Sequence, residues 1–251
     1  LAFCMGNHSE WTCCNADAAV KVPADLAPQI AVMARLMCVS QSTLVTCKAR
    51  PGEKVFITGL GPVGFLAALQ FKLGGYEVYA SDPNPNAAGL AQQAGITLLS
   101  DQTELDKLEA SLAIDCSGHE AAVLQCARST RRCGEVVLIG VPWKQRCDAT
   151  AHALLDLVFH RYIYLRSGWE WEIPRHESHF SQHRSIYGNI ATAMHWLANG
   201  KIIIPDRVMH SFHPQDCNDV YQGHLNLTHK HLCSIFDWTQ LQTSGVSTCN
   251  A

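Results

Sequence analysis

The sequence predicts an α/β fold built on a doubly wound parallel sheet, and three observations support this prediction. Between residues 55 and 166, short β-branched or apolar runs alternate with amphipathic stretches of ten or more residues. Glycines close several of these stretches, as at Gly74-Gly75 and Gly95. Repeated strand-helix-strand order requires crossover connections, which place parallel strands in one sheet and helices on both of its faces.

The individual elements follow from these alternating patterns in chain order. The strands are predicted at residues 55–58, 77–81, 96–99, 112–116, 135–140 and 162–166. The helices between them are predicted at residues 62–73, 86–94, 103–110, 119–131 and 151–160. A long amphipathic helix over 26–50 precedes this region. After a polar loop at 169–185, the pattern resumes with a helix at 186–199, a strand at 207–212, a helix at 215–221 and a strand at 232–237.

Composition excludes several classes of function. The chain has 251 residues with 19 basic and 22 acidic side chains, so no bulk charge attracts nucleic acid or an anionic membrane. No apolar run approaches the ~20 residues of a membrane-spanning helix, and the first residues lack the basic region of a secretory signal. The twelve cysteines form no C-x-x-C pair, which favours reduced thiols in a cytoplasmic protein.

A glycine-rich turn provides the most specific functional signal. The segment Gly59-Leu-Gly61-Pro62-Val63-Gly64 directly follows a predicted strand and opens a predicted helix, which is the context of a dinucleotide-binding turn. In that turn Gly59 permits the sharp bend, Gly61 lets a pyrophosphate approach the backbone, and Gly64 lets the helix pack on the strand. The phosphates meet the helix N-terminus, whose free N–H groups and dipole favour negative charge.

The end of the next strand predicts the identity of the dinucleotide. Asp82 follows Ser81 and lies 18 residues after Gly64, close to the spacing of a ribose-binding acid. Its carboxylate accepts hydrogen bonds from ribose hydroxyls and repels a 2′-phosphate, and residues 83–89 contain no Lys or Arg to offset that repulsion. NAD is therefore favoured over NADP. The alternative is that Asp82 only forms a turn before Pro83.

Two later strand ends are expected to complete the binding site. Ligands of open α/β sheets lie outside the carboxyl ends of the strands, where the strand order reverses. The predicted contacts along the path from adenosine to nicotinamide are Cys116, Ser117, Gly118, Ile139, Gly140 and Val141.

From about residue 18 to residue 238, the sequence resembles the sequences of the medium-chain dehydrogenase/reductase superfamily. Within it, the resemblance is to the zinc-type alcohol and polyol dehydrogenases. The lead-in Pro51-Gly-Glu-Lys-Val55 before the glycine turn is the most specific part of the resemblance. Further support comes from Ile114-Asp-Cys-Ser-Gly118 and from residues 136–142. The resemblance implies a Rossmann-type NAD-binding domain at 26–204, a remnant of a GroES-like β catalytic domain at 1–25, a return segment at 205–238 and a disordered tail at 239–251.

The resemblance also implies an activity. Family members transfer hydride between an alcohol, polyol or ketone and nicotinamide, and many hold a zinc ion that polarises the substrate oxygen. The expected partners are a small alcohol or carbonyl substrate and a second copy of the chain, paired through the strand at 162–166. Most of the catalytic domain is missing from this sequence, so no catalytic or metal-binding residue is assigned, and the chain is expected to hold NAD without turnover.

Several alternatives stay open at this level. The helix-borne zinc ligand of the family falls near Ala34, which cannot bind metal, with Cys38 one turn later. This favours a zinc-independent NAD(P)H reductase as a second hypothesis, and a non-catalytic NAD-binding module is a third. Family members contact the pyrophosphate with a basic residue near the C-terminal strand. In this sequence, Lys230 or His231 is a candidate for that role. The run His176-Glu-Ser-His-Phe-Ser-Gln-His183 has metal-ligand spacing, although a solvated loop is favoured.

Overall fold

A computed structural model describes residues 1–180 and 184–243 of the chain. The strands are β1 (Ala2–Cys4), β2 (Ala19–Lys21), β3 (Lys54–Thr58), β4 (Glu77–Ser81), β5 (Thr97–Leu98), β6 (Ala110–Asp115), β7 (Thr130–Leu138), β8 (Tyr164–Ser167), β9 (Met209–Phe212) and β10 (Cys233–Phe236). The α-helices are α1 (Pro28–Ala31), α2 (Met33–Thr46), α3 (Pro62–Leu73), α4 (Pro85–Gln93), α5 (Gln102–Asp106), α6 (Glu120–Ser129), α7 (Ala151–Arg161), α8 (Ile186–Ala198) and α9 (Cys217–Leu225).

The central sheet confirms the predicted fold class. Within the described residues it has six parallel strands in the order β5-β4-β3-β6-β7-β8. This is the strand order of a Rossmann fold, in which the chain first builds outward from the central strand and then reverses. The reversal lies between β3 and β6, so the carboxyl ends of these two strands form the crevice where a ligand is expected.

Alternating side chains of each buried strand serve two separate cores. Ile57 of β3 packs in the larger core, where α2, α3 and α8 cover one face of the sheet. Its neighbour Phe56 points to the opposite face and packs in a smaller core with residues of α5 and α6. Because successive side chains of a strand point to opposite faces, a strand covered on both faces is apolar along its length.

Three predicted helices end at least two residues earlier in the structure. The helix expected at 26–50 is divided into α1 and α2, and α2 ends at Thr46 because Cys47 is extended. The helix expected at 103–110 ends at Asp106, and Glu109 takes a left-handed backbone conformation before β6 begins. The helix expected at 119–131 ends at Ser129. There β7 begins early, with a register shift against β6 around Cys133, whose φ is 59°.

The flanking segments form two small sheets of their own. Strands β1 and β2 pair antiparallel, whereas β9 and β10 pair parallel. The tail expected from residue 239 onward needs a correction for its first residues, because Trp238–Thr243 form a 3-10 helix; the rest of that tail lies outside the described residues. In the described part of the chain, no helix is long and apolar enough to cross a membrane.

Candidate functional site

The glycine turn lies between β3 and α3, and the structure requires two of its three glycines. Gly59 has a φ of 81°, and a Cβ there would lie 2.8 Å from the Cβ of Ser117. A Cβ on Gly64 would collide with the carbonyl oxygen of Gly59, so α3 packs on the strand only through glycine. Gly61 differs, because its φ of −59° suits any residue and a Cβ would meet no described atom within 4 Å. The protein itself leaves the space beside Gly61 open.

The N-terminus of α3 lacks the side-chain cap that the five following helices possess. Side chains of Asn84, Asp101, His119, Thr150 and Ser185 cap α4 to α8 in that order. In the described structure the α3 cap position is Gly61, and Pro62 and Val63 open the first turn. Free N–H groups at such a terminus attract an anion, and the helix dipole adds to that attraction.

Asp82 ties the end of β4 to the glycine turn. One carboxylate oxygen accepts a hydrogen bond from the Leu60 N–H at 2.5 Å, and the other accepts from the Asn84 N–H at 2.7 Å. The second bond is the turn-forming role that the sequence left open for this residue. The first brings the carboxylate to the mouth of the turn, where each oxygen keeps a lone pair for a further donor.

Asp115, at the end of β6, organises the next loop and was missed by sequence reasoning. The carboxylate is fully buried and accepts from the Thr58 hydroxyl at 3.1 Å, the Ser117 N–H at 3.0 Å and the Ser117 hydroxyl at 2.6 Å. It also accepts from the Gly118 N–H at 3.0 Å. An acid that closes an apolar strand directly before Cys-Ser-Gly is the signal that could have identified it.

The two predicted loops after β6 and β7 are packed against each other. A Cβ on Gly118, whose φ is 66°, would collide with the carbonyl oxygen of Val141, and one on Gly140 would collide with the Gly118 nitrogen. The N–H groups of Ile139 and Gly140 both donate to the Asp115 carbonyl oxygen at 2.8 Å. The structure therefore brings these loops together, although the Ile139 side chain points into the core and leaves only its backbone at the edge.

A cleft of about 490 Å³ opens beside the glycine turn. Gly59, Ser81, Asp82 and Ser117 line it, so four of the residues proposed to bind the cofactor meet in one cleft. Arg146, from the loop before α7, lines the same cleft. The sequence around Asp82 does not indicate Arg146, because this cation lies more than sixty positions further along and only the fold brings it to the same cleft.

The described part of α2 offers no zinc ligand of the kind the family resemblance implies. Ala34 is fully buried, and so is Cys38, whose thiol lies 3.4 Å from the Ile186 carbonyl oxygen. Burial, with the nearby Glu170 carboxylate, raises the pKa of Cys38 to about 12. Among the described residues, Cys38 is not grouped with two further potential ligands, so the structure shows no zinc site around it.

The other residues that the sequence left open lie elsewhere. Lys230 and His231 line a cleft of about 720 Å³ against α4, whose lining does not include the glycine turn. Burial and three neighbouring histidines lower the pKa of His231 to about 4, so its uncharged ring offers a phosphate no positive charge. His176 stacks on Tyr187 with ring centroids 4.8 Å apart, and His183 lies outside the described residues.

Comparison with known proteins agrees with this arrangement. Residues 62–165 match the family model of zinc-binding dehydrogenases. L-idonate 5-dehydrogenase (NAD(P)(+)) of Escherichia coli is 29% identical over 159 residues, which cover 60% of this chain and 40% of that protein. An alcohol dehydrogenase of Geobacillus stearothermophilus is 29% identical over 148 residues, which cover 55% of this chain and 43% of that one. The crystal structure of the Escherichia coli L-idonate 5-dehydrogenase has a TM-score of 0.70 at 23% identity, over 87% of this chain and 60% of that chain.

These matches cover a defined part of longer proteins. The chain spans about two fifths of the length of the two curated relatives it matches. The matched family model includes the α3 N-terminus and continues to β8, and the solved structure shares the Rossmann fold. The glycine turn, the sheet order and these similarities lead to one conclusion: residues 62–165 of the chain are similar to zinc-binding dehydrogenases, and its central sheet has the Rossmann fold of the solved L-idonate 5-dehydrogenase.

Proposed function

We propose that this chain is the cofactor-binding half of an NAD-dependent oxidoreductase that transfers hydride between an alcohol, polyol or ketone and nicotinamide. The uncapped α3 N-terminus carries this proposal, because it adjoins the cleft that Asp82 lines. A pyrophosphate fits there for two reasons: the first-turn N–H groups lack a side-chain acceptor, and the space beside Gly61 is open.

The remaining site residues would hold the rest of the cofactor. Ser81 and Asp82 would bind the adenosine ribose, with the carboxylate accepting hydrogen bonds from its hydroxyls. The paired loops at 116–118 and 139–141 would contact the chain of the cofactor toward nicotinamide through backbone groups. When bound, NAD supplies the hydride acceptor; the part of these residues is to bind and orient it.

The preference for NAD over NADP rests on the balance between Asp82 and Arg146. Asp82 repels a 2′-phosphate, whereas Arg146 across the same cleft would attract one. We expect the site to prefer NAD, because two backbone N–H groups hold the Asp82 carboxylate next to the expected position of the ribose. In contrast, Arg146 is held through its backbone N–H, which donates to the Glu120 carboxylate at 3.1 Å.

Calorimetric titration of the chain with NAD and NADP tests this proposal. We expect NAD to bind with at least tenfold higher affinity than NADP. Arg146→Ala should leave NAD binding unchanged and weaken NADP further, and it serves as the matched charge variant. Absence of NAD binding would refute the cofactor site. Equal affinities, with NADP binding lost in Arg146→Ala, would instead show that the preference for NAD is wrong.

A zinc-independent reductase of the same superfamily is the second candidate, and buried Ala34 and Cys38 favour it. Ala34 carries no metal-binding group and Cys38 is enclosed in the core, so we derive no step through zinc. Turnover measured with a longer form of the protein, before and after removal of metal by chelation, distinguishes the two candidates. Activity that survives chelation supports the reductase, and activity that is lost and then restored by Zn²⁺ supports the zinc enzyme.

We also propose that two copies pair through β8. This strand forms one edge of the sheet, and Tyr164 on it is 50% exposed. Leu155 and Phe159 on α7 are 64% and 75% exposed, which adds apolar surface. Light scattering should give twice the chain mass, and Phe159→Lys should shift the equilibrium toward the monomer. A monomer at high concentration would contradict the pairing.

A further inference from the structure

Histidines gather in the segment at 205–238, away from the proposed cofactor cleft. His224 lies near the end of α9, and His229 and His231 lie in the loop between α9 and β10. Each histidine contributes one ring nitrogen, and these three nitrogens all lie within 4.8 Å of one another. We call these three residues the histidine cluster. A fourth histidine, His210 on β9, stacks on His231 with ring centroids 5.6 Å apart.

The local backbone makes room for the cluster. Gly223 precedes His224 directly, and a Cβ on it would collide with the ring nitrogen Nε2 of His229. The ring of His229 therefore packs directly on the backbone of α9. Leu227 has a φ of 56°, which reverses the chain after the helix and brings His229 and His231 back toward it. Two local features thus place three imidazoles from one short segment at a single point.

Oxygen atoms of the protein orient the rings. The Ser234 hydroxyl lies 2.7 Å from Nε2 of His224 and 2.8 Å from Nε2 of His231. The Val220 carbonyl oxygen lies 3.1 Å from Nε2 of His229. These contacts hold the planes of the three rings. The cluster therefore has partners beyond the three rings themselves.

We propose that the histidine cluster binds one divalent transition-metal ion, with Zn²⁺ as the best match. Neutral imidazole is a preferred ligand of zinc, nickel and copper, and three histidines form a known tetrahedral set with a fourth position for water. Nitrogens bound to zinc in that geometry are about 3.4 Å apart. From the upper limit of 4.8 Å the ring nitrogens would approach one another by up to about 1.4 Å, which side-chain rotation supplies.

This site differs from the zinc implied by family resemblance. That ion has its helix-borne position at Ala34, in the buried part of α2, whereas the histidine cluster belongs to α9 and the loop before β10. A metal there would join the end of α9 to β10, because its ligands lie on both sides of the Leu227 turn. In a segment with few buried apolar side chains, such a link would add stability to the folded form.

Metal titration of the chelator-stripped chain tests the proposal. We expect one Zn²⁺ per chain by calorimetry, and Co²⁺ should give the absorption bands of a tetrahedral site. His229→Ala and His231→Ala should each lower the affinity about 10-fold to 100-fold or more. Gly223→Ala keeps all three ligands but displaces the His229 ring, so it should weaken binding as well. His152→Ala, on the exposed face of α7, is the matched control and should bind like the unaltered chain.

Three results would overturn the proposal. The first is absence of Zn²⁺ binding to the stripped chain. The second is unchanged affinity in both His229→Ala and His231→Ala. The third is stoichiometric binding that survives these variants but is lost in His176→Ala, which would place the metal in the polar loop. If an alanine variant fails to fold by circular dichroism, His224→Gln and His231→Gln provide the same comparison, because glutamine keeps a polar group in place of the ring.

Discussion

The six-stranded sheet and the segment at 205–238 are held together in different ways. All six residues of β6 are buried, and so are four of the five residues of β3. In β9 no residue is buried, and in β10 only Cys233 is. The sheet is covered by helices on both faces, so apolar burial dominates its stability. The other segment relies on aromatic and histidine ring contacts around Phe212.

This difference indicates where the chain tolerates change. In the sheet region, backbone and side chains are packed so closely that one added methyl group has no space, as at Gly64. In the segment at 205–238 most side chains keep contact with water, so the loss of a buried side chain there should cost less and act locally. Four substitutions, two of them paired with a control variant, test this difference, and they follow in order of decreasing effect.

Gly64→Ala should have the largest effect. The new Cβ collides with the Gly59 carbonyl oxygen, so α3 must move off the sheet, at a cost of about 3 kcal/mol or more in the free energy of unfolding. Gly89→Ala is the control, because α4 leaves open space there and alanine favours the helix by about 0.5–1 kcal/mol. Urea denaturation measures both. Equal stability of the two variants would contradict the packing account.

Arg35→Met should cost about 2–3 kcal/mol, because it leaves the Glu170 carboxylate, 1% exposed, without its cation. Arg35 makes two hydrogen bonds to that carboxylate, at 2.7 and 2.8 Å, and so joins α2 to the chain after β8. Arg131→Met breaks the more exposed pair with Glu53 and should cost less than about 1 kcal/mol. Thermal denaturation of both variants tests this difference. A larger loss of stability in Arg131→Met than in Arg35→Met would contradict it.

Val220→Ala should cost about 1–2 kcal/mol and act locally. Val220 is 4% exposed and is one of the few buried apolar residues of the segment at 205–238. Amide hydrogen exchange should speed up in α9 and β10 while the amides of β3 and β6 keep their protection. Faster exchange throughout the sheet would show that the two regions unfold as one unit.

Gly61→Ala should have the smallest effect on stability, within about 0.5 kcal/mol, because its Cβ meets open space. The same space is where a pyrophosphate is proposed, so NAD affinity should fall at least tenfold, about 1.4 kcal/mol. Calorimetry with NAD, next to a thermal melt, separates the two effects. Unchanged NAD affinity would show that the phosphates do not approach the turn.

Much of the sheet region was predictable, for a physical reason. The bounds of α3 and β4 agree with the predicted 62–73 and 77–81, because each element is bordered by glycines or a turn that act locally. The errors lie where distant contacts decide the outcome. At β7, pairing with β6 extends the strand back to Thr130 through a register shift, although residues 119–131 read as one amphipathic helix.

The candidate site also has features that were predictable from the sequence and features that were not. The sequence indicated the glycine turn and Asp82, since the turn, the helix start and the strand end are adjacent along the chain. It did not indicate that Asp82 bonds the Leu60 N–H, nor that Arg146 faces the same cleft. Those contacts join residues more than twenty and more than sixty positions apart, and only the packing of the sheet determines such distances.

The fold class, the glycine turn and the family resemblance were readable from the sequence, because periodicity, turn residues and motif spacing are local properties of the chain. Long-range packing of the folded chain produced the other features. It buried Ala34 and Cys38 in the core, made Asp115 the acceptor that holds two loops, and gathered the histidine cluster. Each of these depends on which surfaces exclude water together, and that is settled only when the helices pack on the sheet.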